Sequence, residues 1–149
     1  MGMVDVGNKP VVSRLAKAEG TIRLSSHTTD KIREGRIKKG DPLLVAEVAA
    51  MNAVKQTHVL IPHCHQILLN QIELGFDVSD SSVTARCTVR SRSRTGVEME
   101  ALIGVTIALD VIWDMVKYLE KDDRGQYPST TITDIRVIRK TKTDIPDPD

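Results

Sequence analysis

Three side chains that bind metals or transfer protons follow one another at His63, Cys64 and His65. Apolar residues flank them on both sides, in the stretch VLIPHCHQILL over 59–69. Pro62 disfavours helix at the residue before it, so we expect these side chains in a turn just past a helix. A metal site, a catalytic loop and a buried polar turn are all compatible with this pattern.

The metal interpretation needs more ligands than this turn supplies. Zinc in proteins takes three or four protein ligands, usually from paired C-x-x-C or H-x-x-x-H spacings. The chain has no second motif of that kind, and its other candidates are His27, His58 and Cys87. Cys87 points inward in a predicted strand, which is typical of an unreactive thiol. We expect no metal site, and keep a zinc-binding interaction protein centred on residues 63–65 as one alternative.

A second group of ionisable residues lies in a segment that otherwise predicts a buried helix. Asp110, Asp114 and Lys117 are spaced i, i+4 and i+7, so they share one stripe of that helix. A solvent-facing ion pair is one interpretation. The other is a Lys–Asp pair at the edge of a buried region, where the pKa of the lysine can be tuned for proton transfer. The surrounding apolar residues, such as Trp113, keep both interpretations open.

Two further pairs could act on a nucleotide. Glu98 and Glu100, in TGVEMEA, could serve as acid and base, accept N–H groups of a base such as guanine, or simply complement a helix dipole. Lys38 and Lys39 precede a predicted helix N-terminus, where free N–H groups can hold phosphate. The spacing around these lysines is not that of a Walker A motif.

Arginines cluster on one predicted strand and its exit, at Arg86, Arg90, Arg92 and Arg94. Nucleic-acid sites usually combine such a cluster with aromatic residues and a basic excess. This chain has a net charge of +1 and only 3% aromatic residues, so a single polyphosphate is favoured over nucleic acid. A non-enzymatic nucleotide- or RNA-binding module remains the second alternative.

Length and composition predict one globular domain over 1–149, with about the first ten and last eight residues flexible. Two cysteines favour a reducing, cytoplasmic location over a disulfide scaffold. The most apolar segment, 101–109, is too short to span a membrane, and the near-neutral charge gives no reason to expect a membrane partner.

The helices and strands that must position these residues are predicted from apolar periodicity and from residues that begin or end a helix or a turn. Asp41 is a good N-cap and Pro42 fits the first helical position, so a helix is predicted from there to just before Ile61. Its predicted buried face consists of Leu44, Val45, Val48, Ala49, Met51 and Val54. Strands are predicted over 21–26, 70–78, 82–92 and 131–140, and further helices over 27–35 and 97–121. The first 20 residues are predicted to be irregular or edge-like. This order predicts an α+β fold, with helices on one face of an antiparallel sheet.

Five segments carry a resemblance when they are taken together and in order: MVDVG, KKGD, LIPHCH, TGVEMEAL and DMVK. From Met3 to about Lys140 the chain resembles the molybdenum cofactor biosynthesis protein C (MoaC) family, the cyclic pyranopterin monophosphate synthases. The resemblance implies a ferredoxin-like subunit in a homohexamer built as a trimer of dimers. It implies a lyase that converts a GTP-derived cyclic dihydroguanosine triphosphate to cyclic pyranopterin monophosphate and releases pyrophosphate. It implies no cofactor, apart from a divalent cation that could accompany the triphosphate.

The resemblance also assigns roles to residues of this sequence. Lys39 and Lys117 are implied to be catalytic in proton transfer, with Asp114 orienting Lys117. Substrate-binding residues are implied at Arg14, His65, Glu98, Met99, Glu100 and Lys140. Two departures stand out: His63 replaces an apolar residue of the family pattern, and TKTDIP replaces a Gly-Ser-rich stretch after the last lysine.

Overall fold

The computed structural model describes residues 1–145. Its elements are β1 Val12–Arg23, α1 Ser26–Arg33, α2 Pro42–Lys55, α3 Thr57–Leu60, β2 Leu69–Val78, β3 Ser82–Ser93, α4 Glu98–Glu120 and β4 Thr131–Thr143. The strands form one antiparallel sheet in the order β2-β3-β1-β4, with α4 packed on β1 and β3 and α2 packed on β2. The predicted α+β, ferredoxin-like fold is confirmed.

β1 begins much earlier than the sequence predicts. It starts at Val12 and lies between β3 and β4, so the prediction of an irregular or edge-like first 20 residues is wrong from there on. The inward positions of β1 include Ala16, Ala18 and Gly20, which have low strand propensity. Small residues are needed because α4 crosses closely: a Cβ at Gly20 would lie 2.8 Å from a methyl carbon of Val105.

The helix predicted from Asp41 starts where expected but ends early. The Asp41 carboxylate accepts hydrogen bonds from the backbone N–H groups of Leu43 at 2.9 Å and Leu44 at 3.2 Å. The chain leaves the helix at Gln56 and makes one more short turn, α3, before Pro62. The HCH residues therefore follow a helical turn, as predicted.

The predicted buried face of α2 is wrong at Leu44, Val45 and Val48, although Val54 is buried as predicted. Leu44, Val45 and Val48 are 58%, 43% and 53% exposed, whereas the buried positions include Ala46 and Ala50. α2 approaches α4 through these small residues because the two helices are close. At Gly104 of α4, an added Cβ would lie 2.8 Å from Val54 of α2 and 2.6 Å from Cys87 of β3.

The β2–β3 hairpin and α4 match their predictions closely. The inward side chains of β3 are fully buried, at Val83, Ala85, Cys87 and Val89. Burial raises the pKa of the Cys87 thiol to about 12, which agrees with an unreactive core cysteine. The opposite face of the sheet is charged: Glu19 pairs with Arg86 at 3.4 Å and Arg136 at 2.9 Å, and Arg86 also pairs with Asp77.

Both ends of the chain make contacts with the rest of the structure. β4 continues to Thr143 and so includes part of the last eight residues, while residues 146–149 lie outside the described part of the chain. Near the N-terminus, the carbonyl O of Val4 lies 2.7 Å from His65 Nε2. Within residues 1–145, no helix is long and apolar enough to cross a membrane.

Candidate active site

A carboxylate bridges two lysines at the C-terminal half of α4. Lys117 Nζ lies 2.8 Å from Asp114 Oδ1, as the i, i+3 spacing allows. Lys39, from the loop between α1 and α2, places Nζ 3.0 Å from Asp114 Oδ2 and 3.0 Å from the carbonyl O of Asp114. The structure thus brings together the three residues that the sequence predicts to be catalytic, although 75 positions separate Lys39 from Asp114.

The bridge changes the proton affinity of its members. Hydrogen bonds from Lys117 and then Lys39 lower the pKa of Asp114 to about 2. The hydrogen bond to Asp114 raises the pKa of Lys117 in turn. Asp110 lies on the same helical stripe but outside the bridge, and burial raises its pKa. Lys117 is therefore a tuned ammonium, held by a carboxylate that stays ionised at ordinary pH.

A second group of predicted residues surrounds a cavity of about 260 Å³ at the N-terminus of α4. His65 lines it from the turn after α3, and Glu98, Met99 and Glu100 line it from the first turn of α4. His63 and Cys64 also line this cavity, together with Ile67, Thr95 and Gly96. Sequence reasoning missed Thr95 and Gly96 as wall residues. The TGVEMEAL motif could have indicated both, because Thr95 and Gly96 are its first two residues.

The two carboxylates of this cavity have opposite electrostatic environments. Burial acts to raise the pKa of Glu98, but the ion pair with Lys140 and the charge of Arg14 outweigh it, so that the pKa is lowered. Burial raises the pKa of Glu100, and the charge of Glu98 adds to the rise. Neighbouring carboxyl groups whose pKa values are pushed apart can take different roles as acid and base.

Arg14 is held at the edge of this region by the backbone. Its side chain is buried and donates to the carbonyl oxygens of Ser93 at 3.5 Å and Arg94 at 3.2 Å. The N-terminal segment lies across the same place, because Arg94 Nε donates to the Lys9 carbonyl at 3.1 Å and His65 contacts Val4. The MVDVG motif marked this segment, but sequence reasoning took only Arg14 from it.

The surroundings of His63, Cys64 and His65 indicate what each side chain of this HCH turn can do chemically. Burial raises the pKa of the Cys64 thiol, and the charge of Glu100 adds to the rise, so that this cysteine is a poor nucleophile. His65 is oriented by the Val4 carbonyl toward the cavity wall. His63 is exposed beside them. The turn therefore presents one oriented imidazole, one exposed imidazole and one unreactive thiol.

The two groups of predicted residues do not meet within one chain. Lys117 and Glu98 are 19 residues apart on the same helix, α4. At about 1.5 Å per residue, this separation is about 28 Å along the helix axis. The structure therefore places Lys39, Asp114 and Lys117 in one group, and His65, Glu98, Met99, Glu100, Lys140 and Arg14 in another.

Comparison with known proteins identifies the family. The model described as the MoaC family matches residues 3–143. The chain belongs to the MoaC family. A protein of Methanosphaerula palustris named probable cyclic pyranopterin monophosphate synthase is 56% identical over 140 residues, which cover 94% of this chain and 91% of the relative. One of Pyrococcus abyssi with the same name is 52% identical over 141 residues, covering 95% and 89%. A Methanothermobacter thermautotrophicus protein, named probable cyclic pyranopterin monophosphate synthase accessory protein, is 54% identical over 143 residues, covering 96% and 90%.

MoaC membership confirms the resemblance drawn from the five motifs. The matched residues, 3–143, agree with the predicted span from Met3 to about Lys140. The chain also covers about nine tenths of each of these relatives, so that the comparison concerns nearly whole proteins. The MoaC fold positions the two groups of residues at opposite ends of one helix.

The two alternatives to an enzyme receive little geometric support. Within the part of the chain that the structure describes, no three His, Cys, Asp or Glu side chains form a group that could hold a metal ion. The zinc alternative therefore lacks a ligand set there. The RNA alternative relied on a row of free arginines, but Arg86 is engaged by Glu19 and Asp77.

Proposed function

We propose that this chain is a cyclic pyranopterin monophosphate synthase, a lyase that converts the GTP-derived cyclic dihydroguanosine triphosphate to cyclic pyranopterin monophosphate with release of pyrophosphate. The observation that carries the proposal is the bridge of Lys39 and Lys117 through Asp114, in a chain of the MoaC family. The proposal includes no organic cofactor and no resident metal, and allows for a divalent cation with the triphosphate.

The lysine pair supplies the proton transfers of this reaction. Opening a ring, moving purine-derived atoms and closing a cyclic phosphodiester require protons to be delivered and removed at several atoms. Of two lysines that share one carboxylate, one can donate a proton as the ammonium while the other accepts a proton as the neutral amine. Asp114 keeps Lys117 protonated at rest, because it raises the pKa of that lysine.

The cavity at the N-terminus of α4 recognises the substrate. Glu98 and Glu100 accept N–H groups of the guanine-derived ring, and Met99 packs against the face of that ring. The phosphates meet the basic side chains beside this cavity, namely His65, Arg14 and Lys140, which stabilise the charge of the departing pyrophosphate. The ion pair between Lys140 and Glu98 supports this arrangement, because it keeps a cation beside the carboxylate wall.

The complete site requires a second copy of the chain. One face of α4 carries Met99, Ile103, Thr106, Asp110 and Lys117, all of them half or fully exposed. Two such helices packed antiparallel about a two-fold axis near residue 108 would bring the lysine group of one subunit to the cavity of the other. Dimers of this kind would then assemble as a trimer of dimers.

Replacement of the lysines tests the activity. We expect Lys39→Ala and Lys117→Ala each to lower the rate of pyrophosphate release by about 10²- to 10⁴-fold, because each removes a proton-transfer group. Circular dichroism should stay as in the wild type, since both side chains are substantially exposed in the single chain. Lys55→Ala, at the exposed end of α2, is the matched control. Near-normal turnover of either site variant would contradict the assignment.

Mixing two inactive variants tests the shared site. Lys117→Ala impairs the lysine group, and Glu98→Ala impairs the cavity. If each site combines the two groups from different subunits, unfolding and refolding the variants together should restore about a quarter of the wild-type sites, by random pairing. If both groups act in one subunit, or the pairing is wrong, the mixture stays as inactive as its components. The single-variant rates would still stand as evidence for the reaction.

A further inference from the structure

The position of Lys39 depends on a tight turn, because this lysine lies in a loop and not on a helix or strand. Gly40 N–H donates to the Ile37 carbonyl at 3.1 Å, which closes a four-residue turn with Lys39 as its third residue. Ile37 is only 7% exposed and anchors one end of the turn in the core. Gly40 has φ of 103°, a conformation that favours glycine, and precedes the N-cap of α2.

One side chain of α4 holds the middle of this turn. The backbone N–H of Lys38 donates to Tyr118 Oη at 3.0 Å. The ammonium of Lys38 lies over the ring of Tyr118, 5.1 Å from its centroid. Tyr118 therefore contacts the turn through both its hydroxyl and its aromatic face, and both contacts are made to the residue just before Lys39.

The same helix also carries the residues that Lys39 must reach. Tyr118 directly follows Lys117 and lies one helical turn beyond Asp114. The contacts between Tyr118 and Lys38 therefore hold the turn at a fixed distance from the Asp114 carboxylate. Without it, the exposed Lys39 side chain would have to find Asp114 against the entropy of a free loop and a long side chain.

We propose that Tyr118 is a positioning residue for Lys39, whose hydroxyl docks the turn formed by residues 37–40 so that Lys39 shares Asp114 with Lys117. The inference rests on the proposed function for the role of Lys39 in the reaction, but the docking itself does not. Loss of one hydrogen bond of this kind lowers the equilibrium constant for docking by about 3- to 10-fold. The effect should fall on kcat, since Lys39 acts in proton transfer and the substrate cavity is untouched.

The test replaces the hydroxyl alone. Tyr118→Phe keeps the ring, and so keeps the contact with the Lys38 ammonium. Lys38→Met is the matched control, because it removes that contact but keeps the backbone N–H that Tyr118 accepts. We expect kcat to fall about 3- to 10-fold in Tyr118→Phe with KM within about twofold, and both constants to stay within about twofold in Lys38→Met.

A second readout needs no substrate. Carbon-13 NMR titration of the Asp114 carboxyl group reports Lys39 directly, because Lys39 contributes to the low pKa of that group. In Tyr118→Phe the pKa of Asp114 should rise from about 2, and in Lys38→Met it should not. An unchanged Asp114 titration in Tyr118→Phe would overturn the inference, whatever happens to kcat. A shifted titration in a protein that shows no synthase activity would support the docking and refute the proposed function.

Discussion

Single residues in this protein obtain their properties from partners distant in sequence. Asp114 is exposed, yet its pKa is held at about 2 because Lys117 and Lys39 both donate to it. Its ionised form is therefore favoured over the whole pH range in which the native protein would be assayed. The pKa of a free aspartate is about 3.9, so the pairing persists below that pH and is lost as the pH falls through about 2.

The Asp114 carboxylate gives the reaction a predictable pH dependence. Asp114→Asn removes the group that raises the pKa of Lys117, so that this pKa falls toward its ordinary value. We expect the basic limb of the plot of kcat against pH to move to lower pH, with a loss of about 10- to 100-fold in the maximum rate. Asp110→Asn, on the same stripe of α4, is the control. A basic limb that does not move would separate Lys117 from the rate-limiting proton transfer.

At the scale of elements, α4 organises both the core and the candidate site. Its buried side approaches α2 and the sheet closely, and the approach is made through Gly104, Gly20 and several alanines. Its exposed side carries ionisable residues such as Asp110 and Lys117 together with apolar residues such as Met99 and Ile103. Its C-terminus is tied to the N-cap of α1 and to the residue before β4 by the buried Glu120, which accepts hydrogen bonds from Ser25 Oγ and Thr130 Oγ1, each at 2.9 Å.

The close approach at Gly104 makes a stability prediction. Alanine is normally favoured over glycine in a helix by about 1 kcal/mol. Here the added methyl group would meet Cys87 Sγ at 2.6 Å and Val54 Cγ2 at 2.8 Å, so we expect Gly104→Ala to lower the free energy of unfolding by about 1–3 kcal/mol. Urea denaturation measures the free energy of unfolding of the wild type and of the variants. Gly75→Ala, where an added Cβ has no neighbour within 4 Å, should be neutral or stabilising. If the Gly104 variant is as stable as the wild type, α2 and β3 must be able to move away from α4 far enough to accommodate the methyl group.

At the scale of the whole molecule, a single subunit leaves large apolar side chains in solvent. They lie along the outer side of α2, in α3 and before β2, at Leu44, Val45, Val48, Val59, Leu60 and Leu68. Contiguous apolar surface of this kind usually marks a contact with another chain. The trimer of dimers proposed above would need two different interfaces, and this surface is distinct from the exposed stripe of α4.

A charge placed on α2 tests this second interface. Val48 is 53% exposed, so Val48→Asp should leave the fold of the subunit and its circular dichroism unchanged. We expect the particle mass, measured by light scattering after gel filtration, to fall to that of a smaller assembly, because a buried unpaired charge is costly. Ser26→Asp adds the same charge at an exposed position of α1, away from the outer side of α2, and is the control. An unchanged mass for the Val48 variant would exclude the outer side of α2 from the assembly.

Local patterns were sufficient for the elements with strong periodicity or clear end signals. The alternation of Val83, Ala85, Cys87 and Val89 predicted both the strand and its buried face, and Asp41 with Pro42 predicted the start of α2. They failed where close packing selects small residues. The inward alanines and glycine of β1 have no strand signature, and the outward leucine and valines of α2 imitate a core face.

The sequence by itself determined the fold class, the family and the identities of the residues in the candidate site, because residue types and the order of motifs are properties of the chain. Only the tertiary structure decided which of these residues meet. Lys39 reaches Asp114 because a buried Ile37 and a hydroxyl on α4 dock its turn, whereas Glu98 and Lys117 stay apart because a rigid helix separates them. Distances between groups remote in sequence depend on how surfaces pack, and local periodicity does not encode them.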